Sequence, residues 1–351
     1  MKIFPTSEHG DPGSAAPESV GTSAALRYFI GIMAGGCLVP LLYVFFLLHL
    51  NKTGNLPPPA LSNNICVDEK LKFLRDNRDT LSPTLLITGS SVAWRGVNGA
   101  LLKNMLPEER PLNVGLCGQK ATQTANTTEW LVGHYKHVRT IIMLAVPQDF
   151  TQCRGQPSRL FSPADADDYV FGGKKDSLPI GTYFRFFDPV SLQHNARRVA
   201  DQRSDRIPLD PLVMTPTGDG PLTTSISRPD LGVYALPPYD PTCLSALKTM
   251  MESADTQNQR FLVVLLPVKH EWQARYDPDN LRRVQLRHEI ERVMTGTHAK
   301  FADINDNIEL PEVAFTDAVH VRWAYVSIVT SAIGQYLQPP RIAQSATILR
   351  N

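Results

Sequence analysis

The run Thr84-Leu85-Leu86-Ile87-Thr88 is apolar and stops abruptly at Gly89-Ser90-Ser91, after which a helix-like spacing resumes at Val92. A short apolar run closed by a breaker is the pattern of a buried strand, and a small residue followed by a hydroxyl suits the strand-to-helix turn of an α/β active site. The unit recurs. Residues 112–116 form a second short strand that leads through Cys117-Gly118-Gln119 into a helix-compatible stretch over 122–135. A third strand, 140–146, ends in Pro147-Gln148-Asp149-Phe150. Such repeated units predict a parallel sheet with right-handed crossovers.

The rest of the chain fits the same plan. A helix is expected over 68–78, and residues 92–105 offer Val92, Leu101, Leu102 and Met105 to a core. Residues 151–240 break the pattern: they are dense in Pro, Gly and Asp, with one helix expected over 189–202. They read as an irregular insertion covering or flanking a site, since long irregular segments in compact domains are usually functional or disordered. Alternation returns with helices near 241–253 and 278–294, strands at 260–268 and 299–304, and a last helix over 323–337 that places Val326, Val329, Ile333 and Leu337 at helical spacing. An α/β domain of about five strands over 68–338 is the expectation.

Ahead of it lie three stretches of different character. Residues 1–24 are rich in Gly, Ser, Pro and Ala and read as a disordered tail. Residues 28–50 are apolar apart from His49 and, as a helix, reach roughly 34 Å, enough to cross a hydrocarbon core of about 30 Å. A single transmembrane helix over 25–50 follows. A cleaved signal peptide fits less well, because the leader and the apolar run are both long and no small-x-small site follows. Arg27 and Lys52 nearly balance, so flanking charge leaves orientation open. Cys37 sits within the apolar run as a membrane cysteine. Residues 51–67, with Pro57-Pro58-Pro59, read as a short stiff linker, and 339–351 as a C-terminal tail.

Composition narrows the partners. With 35 basic and 34 acidic residues in 351, the chain lacks the clustered basic excess of a nucleic-acid binder. Cys66, Cys117, Cys153 and Cys243 have no C-x-x-C spacing, which argues against zinc. In an oxidising compartment they allow up to two disulfides; buried free thiols fit the spacing equally well.

Chemistry is expected at the carboxyl ends of the strands, where open parallel sheets bind ligands. Ser91 is the candidate nucleophile, with Ser90 beside it as a competitor. Gly118 can present a backbone N–H to an oxyanion and Gln148 a side-chain amide. Near the C-terminus, Asp317 and His320 stand three residues apart, so that the carboxylate can orient the imidazole and the imidazole can take a proton from a serine hydroxyl. Other candidates have plainer readings. His134 and His137 lie on or just past a helix without a nearby cysteine and read as surface residues. Lys269-His270-Glu271-Trp272 follows a strand and can line an acceptor site or form a solvated loop. Asn126-Thr127-Thr128 is a formal glycosylation sequon inside a helix.

Taken together these residues resemble the SGNH, or GDSL-like, hydrolase superfamily. Gly89-Ser90-Ser91 matches its first block with Ser91 as nucleophile, Gly118 its oxyanion glycine, and Asp317 with His320 its last block. Pro147-Gln148, Pro267-Val268 and Trp323 echo the DltD-like branch, whose members are membrane-anchored extracytoplasmic proteins tied to D-alanyl transfer onto teichoic acids. The plan is also similar to that of accessory proteins of alginate and cellulose O-acetylation. Gln148 departs from the pattern, since typical members carry Asn there.

The resemblance implies a three-layer, flavodoxin-like parallel-sheet domain and a serine acyl esterase or acyltransferase with a triad of Ser91, His320 and Asp317. It implies Gly118, Gln148, Ser90 and Trp323 around the substrate, and neither cofactor nor metal. The expected partners are the membrane, an envelope polysaccharide or polyol polymer, and a membrane-bound O-acyltransferase, with no nucleic acid. The expected place is the bacterial inner membrane, single-pass, with the domain periplasmic or otherwise extracytoplasmic. A non-catalytic scaffold of the same fold and a simple esterase are the alternatives.

Overall fold

The structure, a computed structural model, describes residues 22–173, 177–203, 212–224, 227 and 235–338. Most of the expected N-terminal tail and all of 339–351 lie outside the described residues; residues 22–24 already belong to a helix. The chain divides into two units, residues 1–53 and 54–351.

The first unit is helix α1 (Thr22–Lys52), with Pro40 inside it. Its residues 24–52 make the one helix among the described residues that is long and apolar enough to cross a membrane. Phe29, Ile32, Leu38, Leu42 and Phe45 are all exposed along it, an arrangement that suits lipid rather than water.

The second unit runs α2 (Ile65–Asn77), β1 (Leu85–Gly89), α3 (Ser91–Arg95), α4 (Gly99–Met105), β2 (Pro111–Asn113), α5 (Ala121–His134) and β3 (Thr140–Ala145). Short helices α6 (Pro163–Ala166) and α7 (Ile180–Arg185) and the longer α8 (Pro189–Arg203) follow. The chain then resumes as α9 (Pro241–Thr256), β4 (Arg260–Leu265), α10 (His270–Tyr276), α11 (Leu281–Met294), β5 (Lys300–Asp303) and α12 (Trp323–Leu337).

The five strands form one sheet in the order β2-β1-β3-β4-β5, with every pairing parallel. Near-continuous apolar strands such as Thr140–Ala145 are buried on both faces, as a parallel sheet covered by helices requires. Because successive side chains alternate, Leu86, Ile141, Met143, Val263 and Leu265 pack with α2, α5, α9 and α11. Leu85, Ile87, Ile142, Leu144 and Val264 pack on the other face with α3, α4 and α12. The result is three layers.

β1 ends where the backbones come closest. Gly89 has φ +137°, and a Cβ there would lie 2.2 Å from the Leu144 carbonyl oxygen on β3. Only glycine lets the chain turn at that point and leave Ser90 and Ser91 above the sheet edge.

Three expectations are revised. The 92–105 stretch is two helices, because the chain breaks at Gly96-Val97-Asn98 and Asn98 caps α4 by accepting the Leu101 N–H at 3.0 Å. The 51–67 linker is no free spacer: Pro57, Pro58 and Pro59 are buried, and the Tyr183 hydroxyl donates to the Pro57 carbonyl at 2.6 Å. Residues 151–240 contain α6 and α7 besides the expected α8, and their 212–224 stretch reaches the interior, with Asp219 fully buried.

The four cysteines outside α1 form two disulfides, Cys66–Cys117 and Cys153–Cys243, across 51 and 90 residues of sequence. The first ties the start of α2 to the loop after β2; the second ties the loop after β3 to the first turn of α9. Loops of this length make each bridge worth about 4–5 kcal/mol in chain-entropy terms, an upper figure for what is usually measured. Replacing Cys153 and Cys243 together by Ala is expected to cost about 3 kcal/mol, read as a lowered urea midpoint of the full chain in detergent.

Candidate active site

β1 lies between β2 and β3, so the chain leaves it to one side and returns on the other. The crevice at that switch point, above the carboxyl ends of the strands, is where such sheets hold ligands. Four segments meet there.

The first is the turn after β1. Ser90 caps α3 with extended backbone, and Ser91 is the first residue of that helix. Among the described residues the Ser91 N–H has no acceptor, as expected at a helix start. The second is the loop after β2, pinned by the Leu116 N–H to the Gly89 carbonyl at 3.1 Å and by the Cys66–Cys117 bridge. Gly118 follows directly with φ +73°. A Cβ there would meet nothing within 4 Å, so the backbone conformation is what favours glycine, and its N–H also has no acceptor among the described residues.

The third is the 3₁₀ turn Pro147–Phe150 after β3. Gln148 is buried, and neither atom of its amide has a hydrogen-bond partner among the described residues. Buried amides are nearly always paired, so this one is equipped to receive a ligand group. Asp149 accepts from the Val146 N–H at 3.0 Å. Burial pushes its carboxyl up to about 6, against the Val146 N–H, the Ser90 hydroxyl and the positive charges of Lys120 and His320. Lys120, two residues past Gly118, donates to the Gln148 carbonyl at 2.7 Å.

The fourth is the loop before α12, closed by an antiparallel bridge between Phe315 and Val321. Inside it, the Asp317 carboxylate accepts the N–H groups of Val319 and His320, each at 2.9 Å. Its other oxygen lies 2.7 Å from His320 Nδ1, and His320 Nε2 lies 2.8 Å from Ser91 Oγ. Burial pushes the Asp317 carboxyl up, but the hydrogen bond and charge of His320 and the two backbone N–H groups outweigh it and hold the carboxyl below its usual value. With Nδ1–H donating to the carboxylate, Nε2 is left as the acceptor for the Ser91 hydroxyl.

Ser91, His320 and Asp317 are therefore joined in one hydrogen-bonded line. Gly118 and Gln148 lie in the segments that follow the two strands flanking β1, and Ser90 is buried beside Asp149. Trp323 begins α12; its N–H bonds the Leu222 carbonyl at 2.9 Å and its ring packs with the α12-side core. His134 bonds Asp167 at 2.8 Å and stacks on Phe171. Lys269 anchors the loop through its N–H to the Ala318 carbonyl at 2.8 Å, while Trp272 is buried. Residues that sequence reasoning passed over are Lys70, Arg95, Asn113, Lys120, Asp149 and Asp219. The Asp-x-x-His spacing offered a signal for its own pair; Asn113 and Asp149 stand in strand-end segments singled out for other residues, and nothing local marked Lys70, Arg95, Lys120 and Asp219.

No protein-family model matches this chain, and no curated protein is significantly similar to it.

The Asp149 carboxyl has a definite sign in stability. The folded state keeps its proton up to about pH 6, the unfolded chain only up to about pH 4. Between those values the native state binds more protons, so stability falls as pH rises, with up to about 3 kcal/mol lost above pH 6. Asp149→Asn retains an acceptor for the Val146 N–H. Its unfolding free energy is expected to exceed wild type at pH 8 and to match it at pH 4.

Proposed function

We propose that this protein is a membrane-anchored SGNH-type serine esterase or acyltransferase acting on ester-linked acyl groups of an envelope polysaccharide or polyol polymer. The observation that carries the reading is the line from Asp317 through His320 to Ser91 at the carboxyl edge of a parallel sheet, with the Ser91 and Gly118 N–H groups without an acceptor among the described residues.

In the proposed reaction the Ser91 oxygen attacks the acyl carbonyl while His320 Nε2 takes the hydroxyl proton. The negative charge that develops on the carbonyl oxygen is received by the N–H groups of Ser91 and Gly118 and by the Gln148 amide, standing in for the family's asparagine. Collapse expels the donor alcohol, which leaves with the proton from His320, and an acyl-serine remains. A hydroxyl of the polymer, or water, then gives its proton to His320 and attacks the acyl carbon; Ser91 departs and recovers its proton. Asp317 stays ionised and stabilises the imidazolium throughout.

The apolar helix α1 supports a single-pass anchor, and the two disulfides support an oxidising, extracytoplasmic side. The second reading, a non-catalytic scaffold recruiting a membrane O-acyltransferase, rests on Gln148 at the position where the family carries asparagine. A serine-directed fluorophosphonate separates the two. Full-length protein in detergent is expected to take one adduct on Ser91, lost in Ser91→Ala and slowed about 10³-fold or more in His320→Ala. Absence of any adduct on the wild type assigns the scaffold.

A further inference from the structure

Behind Ser91, away from the open edge, lies a set of buried charges that the proposed reaction does not use. Lys70 on α2 is fully enclosed; its ammonium donates to the Asn113 carbonyl at 3.0 Å and the Gly218 carbonyl at 2.6 Å. Arg95 lies one helical turn after Ser91 on α3, buried, with its guanidinium 4.1 Å from the Trp94 ring centre and bonded to the Gly220 carbonyl at 3.4 Å. Asp219 is wholly buried. It accepts the Gly99 N–H at 2.9 Å, the Asn113 amide at 3.0 Å, and the hydroxyls of Thr215 at 3.0 Å and Thr217 at 2.7 Å. Asn113 donates on to the Ala93 carbonyl at 2.9 Å and the Trp94 carbonyl at 3.3 Å.

Asp219 belongs to a strap, residues 215–222, that bonds both the helix bearing Ser91 and the first residue of α12, next to the His320 turn. Its Gly220 N–H donates to the Trp94 carbonyl on the serine helix at 2.8 Å, and its Leu222 carbonyl accepts the Trp323 N–H, three residues past His320, at 2.9 Å. A side chain at 220 would collide with the Trp94 ring, only 2.3 Å from where its Cβ would sit. The strap is thus laid on the serine helix and fastened to the start of α12, three residues past His320.

We propose that the buried cluster of Lys70, Arg95 and Asp219, closed by the 215–222 strap, is the positioning element of the triad, holding the Ser91 helix against the start of α12 next to the His320 turn and setting its buried charge behind the serine.

The charges support one another. Burial pushes the Lys70 ammonium down to about 7, opposed by Asp219 and assisted by Arg95. Burial likewise pushes the Arg95 guanidinium down to about 10, opposed by Asp317. A dry interior tolerates charge only when it is compensated, so removing one member leaves the field of the rest acting on the triad. The charged groups around His320 are Asp317 in its own turn, Asp149 from the turn after β3 with Lys120 beside it, and Arg95, one helical turn after the Ser91 that His320 bonds.

The inference rests on the triad reading and is tested by the pH dependence of fluorophosphonate labelling of the full chain in detergent, with a parallel NMR titration of ¹³C-labelled His320. Arg95→Gln leaves the cluster more negative and is expected to move the midpoint of both curves up by about half a pH unit or more. Asp219→Asn is expected to move it down, the double variant to return it toward wild type, and Arg95→Lys to leave it in place. If Arg95→Gln does not fold, Lys70→Met supplies the upward arm. Midpoints of Arg95→Gln and Asp219→Asn that both stay at the wild-type pH, whatever the rates, overturn the proposal. A wild type that takes no label overturns the esterase reading alone, and the His320 titration then decides the cluster by the same directions.

Discussion

Parallel pairing of β1 with both β2 and β3 is the constraint on which the site depends. In a parallel sheet every strand ends on the same edge, so the segments carrying Ser91, Gly118 and Gln148, far apart in sequence, leave the sheet on one edge once β1 lies between β2 and β3. The pairing is held by apolar residues that alternate between two cores, and a shift of one residue would exchange those cores and misplace every strand end. Closeness of the strands is what makes Gly89 obligatory, because the Leu144 carbonyl occupies the space a side chain would need. Packing and chemistry are set by one feature.

How much of this was legible in the sequence varies with the range of the interactions. The strands could be read because each is a short apolar run with its own breaker. Asp317 and His320 could be read because a pair three residues apart can close its own hydrogen bond, and it does. The partner Ser91 is 229 residues away and was found only by the match of the two local motifs. Lys70 and Arg95 look in sequence like solvated charges on helices. Both are buried and bond backbone carbonyls of the 215–222 strap, which lies in a stretch whose Pro and Gly content gives no periodic signal. The disulfide pairing was illegible for the same reason, since four cysteines permit several pairings and only the sheet order brings Cys66 to Cys117. The triple proline reads as a stiff spacer, and nothing in its composition says that Tyr183 will cover it.

The two disulfides fall on loops that carry site residues rather than on the helical layers. Cys117 directly precedes Gly118, and Cys153 follows the turn bearing Gln148 and Asp149. Loops at the carboxyl edge have few apolar contacts of their own, and a backbone N–H is useful to an oxyanion only if it is held in place. A covalent tie beside each loop provides that rigidity without placing further side chains over the serine.

Buried charge argues the same way from energetics. Enclosing Lys70, Arg95 and Asp219 costs desolvation that a well-packed apolar cluster would avoid, so stability alone is a poor reason for them. What an ion cluster has and an apolar one lacks is direction: each carboxylate oxygen and each N–H accepts only certain geometries. Asp219 uses its oxygens to hold the start of α4, the end of β2 and its own strap together. A serine hydroxyl and an imidazole 2.8 Å apart tolerate little drift, and the strap spans the two elements whose relative movement would separate them.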